Sequence, residues 1–316
     1  MNSALGLLSE ALRRGVSDPA TWRDSVAAVA ERLLVLQVAA AALADDYVTD
    51  VLEAQGADPS GETEVNPEGF ADFTDGGGSL LSFLVFAGNS VYREATQERL
   101  SAASTRQRVE HVTTAILMGG MQDTGRSAVH SAMFARPSVT RYVRMLRPPS
   151  CARCAILAGR EYRASVAFKR HKRCDCRHIP QTEDTGDWTT RPSRYFKSLS
   201  REEQDRIFTK SGAEAIRLGG VKDSSMNQIV NASKGMQTVT SWGRELSITL
   251  EGVTQRGLFG RYIVQEDGSL RRRDRTNPLE RNTLRLMPDQ IFQLAEQEGW
   301  DRAEVLRRLR RYAYVL

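Results

Sequence analysis

All four cysteines of this 316-residue chain fall within "PPSCARCAILAGREYRASVAFKRHKRCDCRHIP", residues 148–180, together with two of its four histidines. No other feature constrains the fold so strongly. Thiols gathered in so short a stretch either pair with one another, lie buried as inert groups, or share an ion. The spacing is Cys151-x2-Cys154, then His171-x2-Cys174-x-Cys176-x-His178. A Cys-x2-Cys turn brings two thiolates within about 4 Å, and a second hairpin completes a tetrahedron. Thiolate and imidazole donors without redox chemistry suit Zn2+ as a structural cofactor. The candidate ligands are Cys151, Cys154 and Cys174, with His171 or Cys176 in the fourth place. His178 is the weakest candidate, because it points along a strand beyond the turn.

The cations around the cysteines, Arg153, Lys169, Arg170, Lys172 and Arg173, favour the thiolate form. The same five side chains could contact nucleic-acid phosphates or an acidic partner, or form a solvated charged face. A catalytic zinc keeps an open position and has a carboxylate base nearby. Only Asp175 and Glu161 are close acids, and neither His-Glu-x-x-His nor a zinc-deaminase signature occurs. The pattern therefore reads as a structural knuckle, with no catalytic residue identified.

Composition sets looser bounds. Hydrophobic residues make up 41% and charged residues 26%, as in soluble proteins of two or three structural units. The net charge of +5 permits an acidic partner without requiring nucleic acid. The opening "MNSALGLLSEALRRG" lacks the features of a signal peptide. The longest apolar run, Leu33 to Ala44, ends at Asp45-Asp46. These features lead to the expectation of a protein made in a reducing cytoplasm, with no membrane partner.

Periodicity predicts a predominantly helical α+β protein: long N-terminal helices, a small knuckle core with short strands, and a C-terminal helical tail. Residues 19–55 read as one helix, with Leu33, Leu36, Ala40 and Leu43 on its packed face. The expected divisions are a helical arm over 1–56, a Gly/Pro-rich linker over 57–78, a core over 79–236, a loop-rich basic linker over 237–287 and terminal helices over 288–316. Within the core, a helical region from Ser79 to Ala135 breaks near Gly119-Gly120. Strands are expected at 139–146, 160–165 and 177–180. Ser200 with Glu203, Ser211 with Glu214, and Asp301 with Glu304 match helix-capping pairs.

The block "CARCAILAGREY…FKRHKRCDCRHIP" resembles the hallmark of phage minor head proteins related to the F protein of phage Mu. The shared positions are Cys151, Cys154, Leu157, Gly159, His171, Cys174, Cys176 and Pro180. The stretch "RYFKSLSREEQDRIFTKSGAEAIRLGGVKDSSMNQIVNASKGM" is similar to the version in phages of actinobacteria, where the protein is often named a capsid maturation protease. The likeness covers about residues 110–236. It departs at Lys172, where relatives commonly carry proline. The resemblance implies a virion protein inside the capsid near the portal, made in the bacterial host cytoplasm. It further implies contacts with the portal protein, and with scaffold, major capsid protein or packaged DNA, during head assembly.

Two other functions compete with assembly. A peptidase that processes scaffold or capsid needs a nucleophile, a base and an oxyanion hole. Outside the cysteine cluster only His111 and His130 are available, both on a predicted helix, and no Gly-x-Ser-x-Gly elbow is present. A DNA-binding or nuclease module built on the basic knuckle is the other alternative.

Overall fold

Alanine and leucine dominate residues 22–54, and the computed structural model forms two helices there, α1 (Trp22–Ala41) and α2 (Ala44–Ala54), separated by a turn. The described residues are 6–10, 21–72, 74, 78–166, 174, 176–183, 190–241, 244–251, 253, 258–265, 267, 269–274, 276, 277, 280 and 284–315. The packed face of α1 differs from the expected one. Leu33 is buried, but Leu43 is 64% exposed and Gln37 lies fully inside. Gln37 Nε2 donates to Thr124 Oγ1 at 3.0 Å, so a polar side chain is tolerated in that core because it is hydrogen-bonded. By length and composition Trp22–Ala54 could cross a bilayer, a criterion that core helices of globular proteins also meet.

Helices α3 (Leu80–Gln97) and α4 (Ala102–Phe134) each start at a serine cap. The hydroxyls of Ser79 and Ser101 accept from the amides of Ser82 and Ser104. The expected break at Gly119-Gly120 is absent: α4 runs through both glycines, and the interruption lies at 98–101. Packing of α4 against α1, α2 and α3 outweighs the weak helix propensity of glycine. At Gly88 a side chain would meet a ring. A Cβ on Gly88 would lie 2.0 Å from Trp22 Nε1. The fully buried Trp22 ring rests on that bare stretch of α3, donates to the Leu84 carbonyl at 3.1 Å, and meets Tyr92 edge-on.

The chain divides into two compact units, Met1–Met145 with Arg160–Trp188, and Leu146–Gly159 with Thr189–Leu316. In the first, a three-stranded antiparallel sheet has β1 (Arg141–Met145) between β2 (Glu161–Arg163) and β3 (Arg177–Gln181), close to the expected strands. Tyr142 lies opposite Tyr162 and Pro180, and Arg144 lies opposite His178. Val48 and Leu52 of α2, Ala128, Ala132 and Met133 of α4, and Tyr142 form one apolar cluster beneath this sheet.

The second unit contains α5 (Ala152–Ala155), α6 (Pro192–Ser198), α7 (Arg201–Phe208), α8 (Lys210–Leu218) and α9 (Asp223–Ala232). A β4 (Met236–Ser241)–β5 (Arg244–Thr249) hairpin follows, then α10 (Leu258–Arg261) and a β6 (Tyr262–Val264)–β7 (Leu270–Arg272) hairpin. Helices α11 (Pro288–Glu298) and α12 (Arg302–Arg311) complete it. Ser200 and Glu203 form the expected capping box, and Asp301 caps α12 by accepting from the Glu304 amide. Ser211 lies inside α8 rather than at its cap. That helix begins two residues earlier than expected, behind Thr209 at φ +64°, and Glu214 instead accepts from Arg217. Arg273, expected in a basic linker, is buried with its guanidinium 4.6 Å from the Phe259 ring centroid.

Candidate metal centre

The Cys151–Cys154 turn is built as a single helical turn. Cys151 is the N-cap of α5, and its Sγ accepts from the Cys154 amide at 3.5 Å. Tyr195 of α6 anchors the approach to this turn: its hydroxyl accepts from the Ser150 amide at 3.0 Å and donates to the Ser150 carbonyl at 3.2 Å. Cys154 is thereby buried, whereas Cys151 is exposed.

Cys174 and Cys176 precede β3, and both are fully buried. Strand β3 is held on one edge by β1, while two side chains from α2 and its C-cap reach its backbone. The Tyr47 hydroxyl donates to the His178 carbonyl at 2.6 Å, and Gln55 Nε2 to the Pro180 carbonyl at 2.9 Å. Two arginines act on the cysteines themselves. Arg126 of α4 donates through Nη1 to the carbonyl of Cys174 at 2.5 Å and that of Cys176 at 3.4 Å. Arg144 of β1 places Nη2 3.3 Å from Cys174 Sγ.

The Sγ atoms of Cys154, Cys174 and Cys176 all lie within 4.8 Å of one another. None of the four cysteines is in a disulfide. Among the described residues this group contains cysteines only, a donor set that fits a thiophilic metal ion. Thiolates in such a pocket bind a closed-shell dication tightly.

The predicted ligands thus divide. Cys154, Cys174 and Cys176 come together, and Cys151 lies outside their group at the exposed helix cap. His171 lies outside the described residues, as do Lys169, Arg170, Lys172, Arg173 and Asp175. Arg153 is exposed on α5.

His178 is not in the thiol group. It lies buried on β3, edge-on to Tyr142 at 4.5 Å and 5.7 Å from the His130 ring. Burial pushes its pKa down to about 3, helped by the charges of His130, Arg126 and Arg144, so the ring is neutral at pH 7. Burial also lowers the pKa of His130. Beside it, Ser131 Oγ donates to the Ser127 carbonyl at 3.0 Å, and His111 is exposed on α4.

Arg126 and Arg144 escaped the sequence reading, though each left a trace. Arg144 directly follows Tyr142-Val143 in a strand whose three middle residues are buried. Arg126 follows Asp123 at the spacing of a helical ion pair. Compared with family models, curated proteins and solved structures, the chain matches none.

Proposed function

We propose that the chain is a structural protein of phage head assembly, with a structural metal ion, zinc by donor chemistry, held by Cys154, Cys174 and Cys176. One observation carries the metal reading: three buried thiols within 4.8 Å of one another and outside any disulfide. A fourth protein ligand would close the site as a structural ion requires, since a catalytic zinc keeps a place for water. Cys151 and His171 are the candidates for a fourth ligand.

The assembly reading rests on the Mu F-like sequence blocks alone. It implies a location inside the capsid near the portal, with the portal protein as main partner. Scaffold, major capsid protein and packaged DNA are the further contacts it implies.

Metal analysis of the purified full chain tests the first part. About one zinc per chain is expected, falling toward zero in Cys174→Ser. A metal-free preparation with unchanged thermal stability overturns it. Co-expression with the portal protein of the same genome tests the second: co-purification supports the assembly role, and its failure at low salt overturns it.

A further inference from the structure

We propose that Arg126 and Arg144 are the positioning residues of this thiol centre, Arg126 by fixing the backbone of two ligands and Arg144 by balancing thiolate charge. The inference rests on the metal reading above and deepens it.

The geometry separates the two roles. Arg126 acts on the backbone, donating to the carbonyls of Cys174 and Cys176. Its other arm donates to Asp123 Oδ1 at 2.6 Å, with both side chains about nine-tenths buried. That pair, one helical turn apart on α4, aims the guanidinium at the Cys174-x-Cys176 backbone. One nitrogen, Nη1, serves both carbonyls while Nη2 is held by Asp123, so the guanidinium ties the two ligand-bearing residues to α4; lysine, with a single ammonium, does not reproduce that division.

Arg144 acts on the ligand atom. It is 1% exposed and points from the central strand to Cys174 Sγ at 3.3 Å. A dication bound by three thiolates carries a net charge of −1, and by four, −2. Such a charge is costly in a buried site unless a cation lies beside it. An N–H···S bond also withdraws electron density from the sulfur. Outer groups of this kind tune the metal as strongly as they hold the ligand in place.

Cobalt(II) titration of the full-length apo protein, read by absorbance, tests the pair. Wild type is expected to show the sulfur-to-cobalt charge-transfer band of a thiolate site. Arg144→Met should weaken Co2+ binding by about 10- to 100-fold and move that band to lower energy, because the sulfur loses its hydrogen bond. Arg144→Lys, which keeps the charge, should recover part of both. Arg126→Met should weaken binding with the band left in place, since the bonds it removes run to carbonyls. Circular dichroism of each apo variant identifies any that has failed to fold, and the conservative Arg144→Lys and Arg126→Lys then carry the test. Wild-type affinity and band position in the folded variants overturn this inference and leave the metal reading standing. Absence of Co2+ and Zn2+ binding by wild type overturns the metal reading itself.

Discussion

Arg144 and Arg285 are buried to the same degree, each 1% exposed, in surroundings of different kinds. Arg144 donates to a thiol whose charge would change with metal binding. Arg285 sits among permanent neutral acceptors. It donates to the carbonyls of Tyr312 at 2.9 Å and Glu251 at 2.8 Å, and to Gln228 Oε1 at 3.2 Å. Its guanidinium lies 4.3 Å from the Tyr314 ring centroid and 5.6 Å from that of Phe259. Burial lowers its pKa, yet an arginine remains charged at pH 7. Carbonyl dipoles and ring faces, with the charge of Glu251 nearby, hold this guanidinium inside the protein. The difference separates a fold-closing arginine, indifferent to ions, from one whose stability depends on what the neighbouring sulfur binds.

Metal removal should break the symmetry between them most strongly. Chelation, or Cys174→Ser, withdraws binding free energy on the order of 10 kcal/mol. Hydrogen exchange should then accelerate over residues 176–181 and stay unchanged over 284–287. Equal acceleration in both places defeats the comparison.

Next in size is Arg285→Met, which strands several buried acceptors. A loss of about 3 kcal/mol is expected by urea unfolding, and zinc should not alter it. A zinc-dependent loss would place Arg285 in the same class as Arg144.

Gly88→Ala sharpens the contrast from within the first unit. Its new Cβ would meet the Trp22 ring, a clash worth about 1–3 kcal/mol. Stability should fall while Co2+ affinity is retained, so that loss of packing is distinguished from loss of ligand positioning. Reduced affinity would mean the site merely reports global stability.

The smallest expected effect is a pH dependence from His130, which faces Tyr142 and His178. Burial holds its folded pKa below the ordinary 6.5. As pH falls below 6.5 the unfolded chain takes up this proton first, so stability is full above that value and declines beneath it, by at most about 1.4 kcal/mol per pH unit. Denaturant midpoints of His130→Phe against wild type, from pH 7 to 5, should show a flatter slope in the variant. Parallel slopes would exclude a contribution from His130.

Much of the architecture was legible from local patterns. The helical character of residues 22–54 and 80–97, though not the breaks at 42–43 and 98–101, the three strands around the cysteines and the Ser200–Glu203 box follow from periodicity and capping chemistry within a few neighbours. Failures occurred where distant contacts outweighed local preference. Gly119 and Gly120 stay helical because three other helices pack on α4. Ser211 does not cap because Thr209, at a positive φ, starts α8 early. Gln37 enters a core because Thr124, 87 residues away, supplies its partner.

By itself, the sequence determined that this chain concentrates its thiols between residues 151 and 176, because covalent spacing keeps such neighbours close enough to meet. Only the tertiary structure decided that Cys154, Cys174 and Cys176 converge while Cys151 stays exposed, and that Arg126 and Arg144 stand behind them. The physical reason is range. Spacing acts over a few bonds, whereas burial and charge balance depend on strands and helices that meet across 30 to 50 residues of intervening chain.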